Sequence, residues 1–290
     1  MVLPHFDYVR PESLDQVSEI LYEHGPAARV MAGATDLIIP MKDGAIKPTP
    51  EVIIDLKNLD GMRELEYDDE KGLKIGALTT LRRIEFSDLV WEKNPAVATA
   101  CKSIASTQIR AKGTIAGNIG NASPSCDTGP IIVASDAEIA VHGKDGNRVI
   151  KGGDYFTGFK KTALKPGEFV TSITFPALRP NQKACYMKHA VRKAMDLAIV
   201  GVAAIIEVEN GICTDAKIGL GAVAVTPIRA PKAEEKLVGR ELTDEVIEEA
   251  AQAAIESCAP ISDIRASKEY RSAMVGVFTK RAIHKCLEQM

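Results

Sequence analysis

The 290-residue sequence predicts an α+β protein of two domains. Three observations carry that reading. The length is generous for one hydrophobic core and suits two. Short apolar strands alternate with short helical stretches as far as Leu178. Beyond a polar, proline-containing boundary at Leu178 to Lys183, a long hairpin is followed by helices. The first domain, 1–178, divides into a small unit of about 1–58 and a larger mixed unit of 59–178; the second spans 179–290.

In the first unit, Ser13 to Glu23 reads as a helix. Ser13 and Gln16 form a capping box, Leu14, Val17, Ile20 and Leu21 share a face, and Gly25-Pro26 ends it. Ala28 to Ala32 and Val52 to Leu56 are short strands. The larger unit holds a strand at Leu73 to Ala77, a helix from about Leu81, and a helix opened by Asn94 as cap with Pro95 at its first position. A long loop, Thr107 to Ser125, follows. Glu138 to Val149 reads as a hairpin around Lys144-Asp145-Gly146-Asn147, and Glu168 to Phe175 as a strand stopped by Pro176. In the second domain Ala198 to Glu209 and Ile212 to Val223 form a hairpin with Asn210-Gly211 at its turn; Thr243 to Cys258 and Ser267 to the end are helical.

Composition narrows the function classes. A net charge of −3 gives no electrostatic reason to bind nucleic acid or an anionic membrane surface. No apolar run reaches the roughly 20 residues of a membrane span, and no export signal is legible, so a cytoplasmic protein is expected. The six cysteines are dispersed, the nearest pair (Cys101 and Cys126) lying 25 positions apart, so no local pair is spaced for a zinc or iron–sulfur site. They read as small buried hydrophobes. The five histidines are scattered, and there is no Gly-x-Ser-x-Gly, no Gly-Lys-Ser/Thr phosphate loop and no His-Glu-x-x-His.

Two segments carry chemistry. In Val30-Met31-Ala32-Gly33-Ala34-Thr35-Asp36-Leu37, small residues follow an apolar strand. The lack of bulk lets a ligand approach the backbone, where consecutive N–H groups form an anion nest; a tight strand exit accounts for the same residues. The second runs from Gly113 through Thr114, Gly117 and Asn118 to Asp127, and is poor in large apolar side chains although apolar segments flank it. A long loop without structure of its own is usually functional or disordered, and its hydroxyl and amide groups are donors for phosphate oxygens. Asp127 reads as a helix cap or as an acceptor for ribose hydroxyls. A third glycine segment, Gly219-Leu220-Gly221-Ala222-Val223-Ala224, matches the dinucleotide fingerprint, but Val225-Thr226-Pro227 breaks the helix that fingerprint requires.

The ordered segments Phe6-Asp7-Tyr8-Val9-Arg10-Pro11, Ala32 to Leu37, Ile75-Gly76-Ala77-Leu78-Thr79-Thr80, Gln108 to Asn118, Ser123-Pro124-Ser125-Cys126-Asp127 and Lys188 to Ala198 together resemble the FAD-binding subunits of the molybdenum hydroxylases, over nearly the whole chain. The resemblance implies the two-domain flavin fold of those proteins (PCMH-like), with a C-terminal antiparallel sheet and helices. It implies that Val30, Met31, Ala32, Gly33, Ala34, Thr35, Asp36 and Leu37, with Thr114, Gly117 and Asn118, embrace the FAD diphosphate. Asp127 would meet ribityl or ribose hydroxyls, Val170 would pack on the cofactor, and Lys188 would lie near its polar end. Arg192 and Asp196 match a segment near the flavin ring.

By the same resemblance the molybdenum cofactor lies on a large partner and [2Fe–2S] clusters on a small one, in a dimer of heterotrimers. The chain would pass electrons between those clusters and an acceptor such as NAD or quinone. The alternatives are a stand-alone FAD oxidoreductase of related fold and a scaffold whose glycine loops are turns only. Ala34 and Ala116 stand where the family commonly has glycine, which raises the question of strain at a left-handed backbone position.

Overall fold

The computed structural model describes residues 2–290. It opens with three parallel strands, β1 (Asp7–Val9), β2 (Ala28–Met31) and β3 (Val52–Asp55), in the order β1-β3-β2, with α1 (Leu14–His24) and α2 (Ile38–Lys42) between them. Parallel pairing puts all three carboxyl ends on one edge, so the chain leaves Met31 for Ala32 beside Asp55, its register partner. The Ser13 hydroxyl caps α1 by accepting from the Gln16 N–H. The return bond of the expected box is displaced by one residue, the Gln16 side chain accepting from the Glu12 N–H.

The second sheet is antiparallel, in the order β4-β5-β10-β6-β7. Its strands are β4 (Leu65–Asp68), β5 (Gly72–Gly76), β6 (Glu138–Gly143), β7 (Gly146–Lys151) and β10 (Phe169–Phe175). The connection from β5 to β6 is helical: α3 (Leu81–Glu85), α4 (Asp88–Lys93), α5 (Pro95–Lys102), α6 (Thr107–Arg110), α7 (Ile115–Gly120) and α8 (Gly129–Ser135). A short α9 (Gly152–Tyr155) and the ribbon β8 (Phe156–Gly158) with β9 (Lys161–Thr162) lie between β7 and β10.

The expected long loop at 107–125 is therefore corrected. Ser106 caps α6 and Thr114 caps α7 through their hydroxyls. These two caps, and packing of α7 on β10, hold helical turns in a sequence whose glycines and asparagine are weak helix formers.

The C-terminal sheet, β11 (Gln182–His189), β12 (Val200–Glu209), β13 (Ile212–Gly221) and β14 (Ile228–Arg229), is an antiparallel meander in chain order. Asn210 and Gly211 both have positive φ at the β12–β13 turn, as a two-residue hairpin of this hand demands. Strand β11 begins inside the segment read as a boundary. Three helices complete the chain: α10 (Pro231–Leu237), α11 (Asp244–Glu256) and α12 (Lys268–Leu287).

This sheet is covered on both faces. Val202, Ala204 and Ile206 face α12 and its neighbours in one core; Ala184, Tyr186, Ala203 and Ile205 join the core of the first domain, where α5 and α8 lie on them. The approach of α8 is very close. A Cβ on Gly219 would stand 2.0 Å from the Pro130 carbonyl oxygen, and one on Gly221 2.8 Å from the Pro130 ring. The glycines of the rejected fingerprint are thus the seat of a helix, and no helix starts directly after them.

Five cysteines are buried and Cys258 is half-buried. Among the described residues no group of three or more His, Cys, Asp or Glu could hold a metal, and no helix is long and apolar enough to cross a membrane.

Arg271 of α12 is buried and ties three segments, donating to the carbonyls of Ile199 and Ala222 and to Asp263. Burial opposes ionisation of Asp263, but hydrogen bonds from Arg265 and Arg271 more than offset it and hold its carboxyl well below the usual range. A folded value below the unfolded one means stability that is complete above the ordinary carboxylate pKa of about 4 and is lost as pH falls through the folded value. In acid titration of unfolding free energy, Asp263→Asn should flatten that part of the slope. Gly219→Ala should cost about 3 kcal/mol in denaturant unfolding, at the upper end of overpacking penalties, because its obstacle is backbone.

Candidate functional site

Two loops 80 residues apart in sequence meet back to back. A Cβ on Gly33 would stand 2.1 Å from the Lys112 carbonyl oxygen, and a side chain on Gly113 would meet Thr35. Asn121 donates to Asp36 across the same junction. The structure thus sets Gly33, Thr35 and Asp36 against Lys112, Gly113 and Asn121, the residues that flank Thr114, Gly117 and Asn118 in the chain.

In the first loop, among the described residues, no acceptor in the chain takes the N–H groups of Ala32, Gly33, Ala34, Thr35 or Asp36; bonding resumes with Leu37 and Ile38, which donate to the Ala34 carbonyl. Ala34 has φ of 62°, the left-handed region. One such residue set among neighbours of negative φ makes successive N–H groups converge, which is the geometry of an anion nest. Five open backbone donors, four of them on the small residues Ala32, Gly33, Ala34 and Thr35, fit a diphosphate. Ala116, by contrast, lies within α7 at negative φ and carries no strain.

The second loop gives less than its polar side chains promise. The Thr114 hydroxyl is spent on the Gly117 N–H. The Asn118 carbonyl oxygen accepts from Thr128 at 2.6 Å and from the Cys126 thiol at 3.0 Å, leaving its amide nitrogen as donor. Burial pushes the Cys126 thiol up to about 12, so it stays protonated at neutral pH.

Asp127 is not a helix cap. Thr128 opens α8, and the Asp127 carboxylate instead crosses to the other domain. It accepts from the Tyr186 hydroxyl at 3.0 Å and from the Lys188 ammonium at 2.9 Å, and Lys188 donates also to the Ser103 carbonyl. Burial pushes the Asp127 carboxyl up, against the pull of Lys188 and Tyr186. Tyr186 and Lys188 stand two apart on β11 and so share a face. Neither Tyr186 nor the strand was legible in the sequence.

Lys188, Ser103, His189, Arg192, Lys193 and Asp196 line a cavity of about 320 Å³. Asp196 accepts from the Arg192 and Leu197 N–H groups and so shapes the loop that forms its wall. Two backbone bonds, Met195 N–H to the Ala105 carbonyl and Ala222 N–H to the Pro124 carbonyl, fasten the domains on either side. Val170 is a core residue at a β-bulge of β10, the strand on which α7 rests.

Comparison with known proteins gives the family. Residues 4–178 match the family described as the FAD binding domain in molybdopterin dehydrogenase, and residues 185–286 the CO dehydrogenase flavoprotein C-terminal domain. The chain is 35% identical to the carbon monoxide dehydrogenase medium chain of Afipia carboxidovorans, over 98% of each chain. It is also 35% identical to the glyceraldehyde dehydrogenase medium chain of Sulfolobus acidocaldarius, over 97% of this chain and 98% of that one. The structure of carbon monoxide dehydrogenase from Hydrogenophaga pseudoflava contains a chain that superposes with a TM-score of 0.94 at 31% identity, covering 99% of both.

The chain belongs to the FAD-binding subunits of the molybdenum hydroxylases. Within that class it is similar along its whole length to the medium chains, the flavoprotein subunits of dehydrogenases.

Ala34→Gly should raise stability by about 0.5–1 kcal/mol, the relief of left-handed strain less the flexibility cost of glycine, read as a higher melting temperature. Asp127→Ala should cost about 3 kcal/mol, the low end for a broken buried pair, by leaving Lys188 largely buried without its counter-charge, and a second change, Lys188→Met, should recover much of it.

Proposed function

We propose that the chain holds FAD with its diphosphate in the Ala32 to Asp36 nest and its flavin end toward the Lys188 cavity. The observation that carries the reading is the run of backbone N–H groups from Ala32 to Asp36 that find no acceptor among the described residues, most of them on small residues that leave a ligand room. The Val30, Met31 and Leu37 flanks anchor that run to β2 and α2. The α7 turn, with Thr114, Gly117 and Asn118, closes the opposite side, and Val170 supports it from behind. Asp127, aimed by its partners on β11, presents a carboxylate edge suited to sugar or ribityl hydroxyls.

Bound FAD supplies an exchange of single electrons with a cluster and of electron pairs with a hydride or quinone acceptor. The chain's own residues bind and orient it. They also set its polarity through the Lys188–Asp127 pair and the Arg192–Asp196 loop. In the assembly we propose, a small [2Fe–2S] subunit delivers electrons taken from substrate by a large molybdenum subunit, two such trimers associate, and the complex works in the cytoplasm. The two medium-chain relatives named above serve carbon monoxide and glyceraldehyde, so the substrate is a property of the large subunit.

Natively purified chain should show a flavin spectrum and release about one equivalent of FAD on denaturation. In the whole complex, reducing the clusters with substrate should bleach that spectrum. A chain that neither carries FAD nor takes it up would overturn the reading of both loops, and turnover of a small substrate by the isolated chain would favour a stand-alone oxidoreductase.

A further inference from the structure

Tyr186 is a buried phenol that meets the proposed binding set only through Asp127, and three features of its surroundings act on it together. Tyr186 is 3% exposed, and its hydroxyl meets Asp127 at 3.0 Å from a strand 59 positions away. Its neighbour across the sheet toward the next register, Gly201, is open for it: a Cβ there would stand 3.1 Å from the tyrosine oxygen. Gly201 is itself the register partner of Lys188. The sheet therefore leaves space at one point, and that space is filled by the hydroxyl that meets one carboxylate oxygen while Lys188 meets the other.

We infer that Tyr186 is a positioning residue for the flavin site, fixing both the direction and the ionisation of the Asp127 carboxylate. This rests on the proposed role of Asp127 toward FAD. A buried carboxyl beside one ammonium has two stable conditions, an ion pair or a neutral acid next to a solvated lysine. A second donor favours the ionised one, because a neutral acid has one fewer site to offer an incoming O–H. The groups that face Asp127 are few. From β11 they are Lys188 and Tyr186; from the loop before α8, the protonated Cys126; from α5, the buried thiol of Cys101. The cavity beyond Lys188 adds His189, Arg192, Lys193 and Asp196. Among these, the Tyr186 and Lys188 side chains are the ones bonded to the carboxylate, so loss of the phenol should be felt there first.

The test uses the full chain and two readouts. The first follows the protonated-carboxyl infrared band of Asp127, assigned by its loss in Asp127→Asn, against pH and without cofactor. Tyr186→Phe should move its midpoint up by about one pH unit, the equivalent of tenfold. The second is the dissociation constant of FAD, from flavin fluorescence, over the same pH range. Tyr186→Phe should weaken binding by about tenfold at neutral pH, the size expected for a hydrogen bond to a charged group, and should carry the acid limb of the profile upward with it.

In an Asp127→Asn background the same substitution should change FAD binding little, as a shared interaction requires. Gly201→Ala, which keeps the hydroxyl but displaces it, should reproduce the shift in part. A Tyr186→Phe chain that binds FAD with an unshifted pH profile, whether equally or uniformly weaker, overturns the inference and leaves the phenol a packing residue. An infrared midpoint that moves while the FAD profile stays fixed overturns it too, since the coupling then stops at Asp127. Failure of the unsubstituted chain to bind FAD at any pH overturns instead the flavin reading on which this one rests.

Discussion

Helix α8 can lie on the C-terminal sheet only because that sheet has no side chains where the helix arrives. Gly219 and Gly221 meet Pro130 at distances that admit no methyl group, and much follows from this one approach. It brings the start of α8, and with it Asp127, to the level of β11. It lets the residues of β11 that face the first domain reach across to it. It also buries the second face of a sheet that α12 and its neighbours already cover on the first. Close packing of this kind transmits position with little slack. The joint between the domains is thereby one that does not open freely.

Into that joint the chain places an ion pair. Burial alone would favour a neutral Asp127, and a lone carboxylate there would be costly. The cost is met by two donors from one strand, Lys188 and Tyr186, and Lys188 finds a second acceptor in the Ser103 carbonyl. A buried pair is weak evidence of added stability but good evidence of a required geometry. Here the geometry is shared between the loop that follows the α7 turn and the wall of the cavity, so the two ends of the site are registered to each other through it.

Much of this was legible in the sequence, and the misses have physical causes. The run from Ala32 to Asp36 stood out as small residues after an apolar strand, a pattern that a tight strand exit explains as well as an anion nest. The Asn210-Gly211 hairpin and the Thr243 and Ser267 helix starts followed from turn and capping chemistry. Helix α7 was hidden because its glycines and asparagine argue against a helix, and only its cap and its packing on β10 override them. Strand β11 was hidden for another reason. A strand covered on both faces shows no alternation, and Gln182 to His189 contains no β-branched residue to betray it. Tyr186, which lies on that strand, could not be singled out without it. The glycines of 219–221 were seen but had no assigned purpose, since what they accommodate is Pro130, far off in the sequence.

The order of strands has a bearing on how the chain comes to be folded. Sheet β11 to β13 closes through neighbouring segments and a two-residue turn, whereas Gly76 of β5 finds Ser172 of β10 nearly a hundred residues later. Loop closure of that length is slow beside a local meander. During synthesis the N-terminal half therefore waits for β10 before its larger sheet can form, and the meander follows soon after and closes quickly. Its apolar face, with the bare strip that receives α8, then stands uncovered until α5 and α8 are in place. The surface that makes the finished protein rigid is the one that has to be shielded while it is being made.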